Sequence, residues 1–341
     1  MPFLPSAKAR LDVGPADEGR RLSTRFTEGL GKPESEATGV LLRWSGGLSD
    51  GILRLRRRDG IERGVPADQL VAARVIPPEL SAYAVQRMCQ QGWPPLVAEE
   101  RGPWTFRASS GATGRANSVR VAGAPKGSLR AALADVQRWY EARDLPPRLQ
   151  ITHPSGLEDA LDERGWAGRR RSRVLVASVS RLLNATSEAH QRSDLDLSIE
   201  TAPNHDFLKL VLGYSPATAA EFDHVFAAVR PAAFVYCRNS AGELLGIGHA
   251  TLQDTWCGAT TIQTAPQSRR SGIATAITAQ LAQWAVDQQA SNWYLQLFED
   301  NAAALGFYEG LGFVTHHRYE YRWPADMTEA DLWPERDNHA D

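Results

Sequence analysis

Thr264-Ala-Pro-Gln-Ser-Arg269-Arg270-Ser271-Gly272-Ile273-Ala274 is the stretch that decides the reading of this chain. A strand pattern, Ala259 to Thr264, runs into it and is ended by Pro266; the helical pattern Ala274-Thr-Ala-Ile-Thr-Ala-Gln-Leu-Ala-Gln-Trp-Ala runs out of it. The start of a helix leaves four backbone N–H groups unpaired at the positive end of the helix dipole. Small residues at Gly272 and Ala274 let an anion approach that backbone, and Arg269 and Arg270 add fixed positive charge. Strand, basic glycine loop and helix start therefore predict a phosphate site. A glycine loop alone is also an ordinary helix cap, so the residues C-terminal to the helix have to separate the two readings.

Downstream, Asn292-Trp-Tyr-Leu-Gln-Leu-Phe-Glu299 reads as a strand. It is followed by Asn301-Ala-Ala-Ala304-Leu-Gly-Phe307-Tyr308-Glu-Gly-Leu-Gly312-Phe313 as a helix ending in Gly-aromatic, and then by a last strand. In these residues the chain resembles the Gcn5-related N-acetyltransferase (GNAT) superfamily. Arg269-x-x-Gly272-x-Ala274 is similar to that family's acyl-CoA diphosphate loop, and Asn301-x-x-Ala304-x-x-Phe307-Tyr308-x-x-x-Gly312-Phe313 to its second signature. The resemblance implies acetyl-CoA as the cofactor. Its pantetheine arm would lie along Ile262, Gln263 and Thr264, and its diphosphate on Arg269, Arg270, Ser271, Gly272, Ile273 and Ala274. Asn301, Ala304 and Tyr308 would complete the cofactor site. Thr264 and Arg270 depart from the family's usual aliphatic strand residue and first loop glycine.

Tyr308 is the candidate general acid, because a phenol is protonated at neutral pH and suits a departing thiolate. The competing reading is an aromatic on the core side of its helix. Asn301 is equally a helix N-cap, and one side chain serves both roles. For the base, Glu299, Glu243 and His249 stand open together with a water chain to solvent. Arg115 and Asn117 are unusual polar positions beside a strand; they are read, with Glu299, as candidates for the acceptor pocket, where Arg115 would hold a carboxylate or peptide carbonyl. His316, His317, Tyr319 and Tyr321 alternate as a final strand does. No metal site is expected.

The chain of 341 residues is long for one domain. A net charge of -2 from 38 basic and 40 acidic residues does not call for a polyanionic partner. Cys89, Cys237 and Cys257 lack metal-ligand spacing and suggest a reduced, cytoplasmic setting. No membrane span is expected.

Five segments are expected: a polar leader (1–18), a small β-barrel of SH3-like type (19–78), a degenerate GNAT-like lobe (79–183), a catalytic GNAT lobe (194–325) and a polar tail (326–341). The barrel rests on short strands at Val40 to Trp44, Gly51 to Arg58 and Leu70 to Ile76, with Asp59-Gly60 as a tight turn. Its Arg54, Arg56, Arg57 and Arg58 are read as a solvated face balanced by Asp50, Asp59, Glu62 and Asp68, and nucleic acid is not expected as a partner. The two lobes echo each other: strand Ser118–Ala122, helix Ser128–Arg143, strand Arg148–Thr152 and a short helix from Leu157 repeat the later order. The first loop, Gly123 to Ser128, lacks the Arg-x-x-Gly-x-Ala form, and Leu161 and Pro154 stand where Tyr308 and Asn301 stand. Leu182 to Ser193 reads as a polar link. The fold class is thus α/β, two tandem GNAT lobes behind a small barrel. The expected reaction is acetyl transfer to a primary amine, small molecule or peptide, by direct attack in a ternary complex. An acyl-CoA-binding sensor is the alternative.

Overall fold

Alternation of apolar and polar residues along short strands builds the N-terminal unit, Met1–Leu80. The computed structural model describes residues 10–11, 13–29, 33–57, 60–76, 80–109, 113–213 and 219–332. Strands β1 (Arg10–Leu11), β2 (Arg21–Thr27), β3 (Glu34–Ser45), β4 (Ile52–Arg56), β5 (Glu62–Pro66) and β6 (Leu70–Ile76) form one sheet in the order β1-β6-β2-β3-β4-β5. In β4, Leu53 and Leu55 are fully buried while Ile52, Arg54 and Arg56 are exposed. Leu22, Phe26, Leu41, Trp44 and Val65 join them in one core. Part of the expected leader belongs to this sheet, since β1 pairs with β6 in parallel. Arg54 faces Glu62 at 3.7 Å; Arg58 and Asp59 lie outside the described residues.

The second unit, Ser81–Asp341, carries the remaining strands: β7 (Val97–Arg101), β8 (Trp104–Ala108), β9 (Val119–Val121), β10 (Leu149–His153), β11 (Gly168–Ser178), β12 (Asp196–Glu200), β13 (Ala232–Arg238), β14 (Leu244–Gln253), β15 (Trp256–Thr264), β16 (Asn292–Phe298) and β17 (Val314–Trp323). Its helices are α1 (Ala82–Gly92), α2 (Leu129–Glu141), α3 (Glu158–Asp162), α4 (Val179–Ala185), α5 (His205–Leu212), α6 (Ala219–Ala228), α7 (Ile273–Asp287), α8 (Ala302–Gly310) and α9 (Glu329–Leu332). All eleven strands form one sheet in the order β12-β13-β14-β15-β16-β11-β17-β10-β9-β8-β7.

The two halves repeat strand-helix-strand-helix-strand as β9-α2-β10-α3-β11 and β15-α7-β16-α8-β17, and each gives its last strand to the other. β17 lies between β10 and β11, while β11 lies between β16 and β17. The β11–β17 ladder runs antiparallel from Gly168↔Trp323 to Val176↔Val314, so the halves are hydrogen-bonded into one sheet.

The segment expected to be a polar link, Leu182–Ser193, is instead largely structured. Val179 and Leu182 are buried in the core shared with α7, so α4 and the 3-10 turn Ser187–Gln191 are packed elements. The start of the expected tail also packs. Leu332 is buried, and Arg148 donates to its carbonyl at 2.9 Å; residues 333–341 lie outside the described ones. Among the described residues no helix is long and apolar enough to cross a membrane.

Candidate active site

Two adjacent parallel strands part company near the middle of the second half. β15 and β16 pair only at Trp256↔Asn292, Cys257↔Trp293 and Gly258↔Tyr294. Beyond that, Ala259–Thr264 and Leu295–Phe298 have no register with each other, and the strands open as a wedge. Gly258 pins the base: a Cβ there would lie 2.3 Å from the Tyr294 ring, whose hydroxyl donates to Gln253 Oε1 at 2.6 Å. Higher up, β15 is bent by a bulge. His249↔Thr260 is followed by Ile247↔Gln263, so Gly248 faces both Thr261 and Ile262, and Thr261 takes a φ of 55°. The bulge carries Ile262, Gln263 and Thr264 away from β16.

The glycines of β14 bring α7 down onto this region. A Cβ at Gly246 would meet Ile273 and Ile277 side chains at 2.9 Å, and one at Gly248 would meet Ile277 Cγ2 at 2.4 Å. The start of α7 follows the top of β15 after the turn Pro266–Ser268. Its N-cap is Gly272 at φ 81°, with no side-chain cap, and Arg270 beside it has φ 61°. Arg269, Arg270 and Ser271 are exposed; Ile273 is buried and Ala274 half-buried. The first half closes the same position: α2 is capped by Ser128, whose side chain accepts from Ala131 N.

A residue that sequence reasoning missed holds the loop. Arg192 donates from Nη1 to Ser271 O at 2.8 Å and is itself gripped by Asp194 at 2.7 and 2.5 Å. A peptide's C=O and N–H point in opposite directions. With its C=O on Arg192, the Ser271–Gly272 peptide turns the Gly272 N–H away from the guanidinium. No sequence signal marked Arg192, because it comes from the stretch read as a link.

The other limb ends in α8. Asn301 caps it, accepting from Ala304 N at 3.1 Å, which leaves its amide N–H groups for another partner. Tyr308 is buried among Leu305, Leu311 and Phe313, and its ring packs against Phe307 and Phe313. Burial raises its pKa, so the phenol stays protonated. Its hydroxyl has no hydrogen-bond partner among the described residues. Glu299 meets Arg173 at 3.0 Å and Arg318 at 2.9 Å. Burial works to raise its pKa, but those two guanidinium bonds outweigh it and leave the carboxyl below its usual range. Glu243 is tied into its hairpin turn by Asn239, at 2.7 Å.

His249 is fully buried, on the sheet face opposite α7 and against Phe226 and Phe234. Its Nδ1 shares a bond with Thr260 Oγ1 at 2.8 Å, and its Nε2 has no partner. Burial, then Arg230, lowers its pKa to about 3. Gln263 Oε1 is a second buried atom without a partner. Gln263 is on the strand that borders the wedge, where a ligand would complete its oxygen; His249 Nε2, with Nδ1 on Thr260 and the ring against Phe226 and Phe234, belongs to the apolar side of β14.

Of the other expected pocket residues, Asn117 is spent inside its own loop. It accepts from Ser109 N at 2.6 Å and donates to Ser109 O and Thr113 O. Arg115 is half-buried over Trp93, at 5.8 Å. A side-chain chain crosses the halves nearby: Gln150 Nε2 donates to Gln86 Oε1 at 2.8 Å, and Gln86 Nε2 meets His317 Nε2 at 2.9 Å. His317, lowered to about 3 by burial and then by His316, is a neutral member of it. Tyr319 and Tyr321 are buried.

Three comparisons bear on this geometry. The family model described as "Probable histone acetyltransferase Rv0428c C-terminal" matches residues 83–322, all within the second unit. The uncharacterized N-acetyltransferase YobR of Bacillus subtilis (strain 168) is 26% identical over 245 residues, covering 70% of this chain and 96% of the relative. Among solved structures, a GCN5-related N-acetyltransferase from Kribbella flavida superposes with a TM-score of 0.57 at 17% identity, covering 73% of this chain and 98% of the other. A functionally unknown conserved protein from Staphylococcus epidermidis reaches 0.52 at 12% identity, covering 69% and 95%. The two structural likenesses speak to the fold.

Proposed function

The chain belongs to this acetyltransferase family, and on that premise we propose that it moves an acetyl group from acetyl-CoA to a primary amine by direct attack in a ternary complex. The observation that carries the reading is the wedge itself. One limb ends in a glycine-capped helix start that has no side chain filling its N–H groups, and the other ends in Asn301 and Tyr308. Buried, unsatisfied Gln263 Oε1 on the β15 limb fits an extended ligand with amide groups.

When bound, acetyl-CoA supplies an activated thioester; the chain's part is to hold and orient. Ile262, Gln263 and Thr264 would take the pantetheine arm along the edge that β16 leaves unpaired. The backbone from Arg269 to Ala274 would take the diphosphate, where dipole and N–H groups favour negative charge. Asn301, with its free amide N–H groups, and Ala304 would flank the arm. Tyr308 is our proton donor to the departing sulfur, since burial keeps it protonated and its hydroxyl unshared. Neither carboxylate nor imidazole is a strong base here: Glu299 is held low by two arginines and His249 by burial. The amine would therefore lose its proton to water on the way in. The three free, buried cysteines suit a reducing cytoplasm. We read the N-terminal sheet as an SH3-like barrel and assign it neither nucleic acid nor membrane.

CoA release measured against a panel of primary amines tests the proposal. Acetyl-CoA-dependent turnover is expected, falling about 100-fold in Tyr308→Phe with acetyl-CoA affinity within about twofold. Unchanged turnover would remove Tyr308 from the mechanism. Binding of acetyl-CoA with no turnover on any amine would favour the sensor alternative.

A further inference from the structure

We propose that Arg107, Gln150, Gln86, His317 and His316 form a hydrogen-bond chain of fixed polarity, in which Gln150 is a positioning residue that holds His317 as its Nδ1–H tautomer and His316 as its Nε2–H tautomer. The chain joins β8, β10 and α1 of the first half to β17. The inference goes beyond acetyl transfer and does not depend on it.

The direction is set at the Arg107 end, because a guanidinium can only donate. Arg107 is buried and spends Nε on Ser118 O and Nη2 on Ser118 Oγ and Gln150 Oε1. Burial lowers its pKa to about 10, which still leaves it charged at neutral pH. The Gln150 atom that faces Arg107 is therefore the carbonyl oxygen. Its amide nitrogen points onward and donates to Gln86 Oε1 at 2.8 Å. The same step repeats at Gln86, whose Nε2 lies 2.9 Å from His317 Nε2. An amide NH2 only donates, so His317 Nε2 has to be the bare nitrogen. Burial keeps His317 neutral, and its one proton then sits on Nδ1. That Nδ1 is 2.8 Å from His316 Nδ1, which must accept in its turn, leaving the His316 proton on Nε2.

The backbone is shaped for the last of these contacts. Successive strand residues point to opposite faces, so neighbouring side chains do not ordinarily meet. β17 has a bulge at this place: His317 pairs with Val174 and Thr315 with Leu175, and His316 is the extra residue. The bulge turns its ring onto that of His317, with centroids 5.0 Å apart and planes at 84°. The consequence is chemical. A neutral imidazole has one lone pair to offer, and here both are taken, one by Gln86 and one by His317. Neither histidine can take a proton from an incoming amine while the chain is intact, and what His316 carries at Nε2 is a donor.

Long-range proton–nitrogen correlation spectra of the full chain, labelled with 15N-histidine and held at neutral pH, test this. The two residues are assigned from the signals lost in His316→Gln and His317→Gln. Wild type should show His317 protonated on Nδ1 and His316 on Nε2. Gln150→Glu keeps the shape but brings a carboxylate, which accepts from Arg107 and has no N–H to pass on. Gln86 should then turn its amide over, donate to that carboxylate and accept from His317, inverting both tautomers to His317 Nε2–H and His316 Nδ1–H. A residue that merely fills space would not move the protons of two rings beyond its reach. Gln86→Leu removes the donor to His317 and should release His317 to the Nε2–H form; it decides the matter if Gln150→Glu does not fold. A wild-type His317 protonated on Nε2 or on both nitrogens, mixed tautomers at either residue, or tautomers unchanged in either variant would each overturn the proposal.

Discussion

A single guanidinium fixes the orientation of a single peptide in the loop before α7, and that is a testable claim about one side chain. Arg192 holds the Ser271 carbonyl, and Asp194 holds Arg192. Arg192→Met should raise the acetyl-CoA KM about tenfold, the order expected for a lost charge-assisted contact. It should leave the KM of S-acetyl-pantetheine, which lacks the diphosphate, unchanged. Equal losses on both donors would mean that Arg192 only supports the fold. His249 gives a prediction about stability. Its folded pKa, about 3, lies below the ordinary 6.5, so the unfolded chain binds more protons between those values. The native state accordingly loses stability as pH falls below about 6.5, by up to ~1.4 kcal/mol per pH unit from this group. Denaturant titrations at pH 7, 6 and 5 should show a shallower slope for His249→Gln than for wild type; identical slopes would exclude the imidazole as the source. That Arg269 to Ala274 lead into a helix start, and that Asn301 caps a helix carrying Tyr308, was legible in sequence because local spacing defines a loop or a helix face. The Arg192 contact was not, since it joins residues distant in the chain.

Glycines set how closely the elements approach one another. Gly248 and Gly306 make opposite predictions. A Cβ at Gly248 runs into Ile277 at 2.4 Å, so Gly248→Ala should push α7 off β14 and cost about 1–3 kcal/mol. Gly306, inside α8 and exposed, has open space around a Cβ, so Gly306→Ala should stabilise by about 0.5–1 kcal/mol. Melting of the two variants decides it, and shifts of the same sign would contradict this packing account. At this scale the sequence was read well where periodicity was strong. β16 runs over the expected Asn292–Phe298, β6 over Leu70–Ile76, and α7 starts one residue after Gly272. It was read poorly where apolar residues serve tertiary packing, as at Leu182 of α4, which opens the stretch expected to be a polar link and is fully buried.

Across the second unit, the exchange of β11 and β17 makes each half depend on the other. That exchange cannot be read from periodicity, because a strand pattern does not say which neighbour it pairs with. The repeat of element order was visible; the reciprocal placement of the last strands was not. Leu175 is fully buried on β11, between β16 and β17. Leu175→Ala should cost about 2–5 kcal/mol and lower amide-exchange protection in β10 and β16 together. Loss confined to one half would show that the halves fold independently.

The central claim is that the wedge and the loop before α7 hold acetyl-CoA, and calorimetric titration of acetyl-CoA into wild type and Gly272→Glu tests it most directly. The account predicts saturable binding at one site per chain in wild type. It also predicts loss of binding in the variant, whose Cβ is strained at a φ of 81° and meets Arg192 Nη1 at 3.0 Å, and whose carboxylate adds negative charge to the loop. No binding in wild type, or equal affinity in the two proteins, would contradict it.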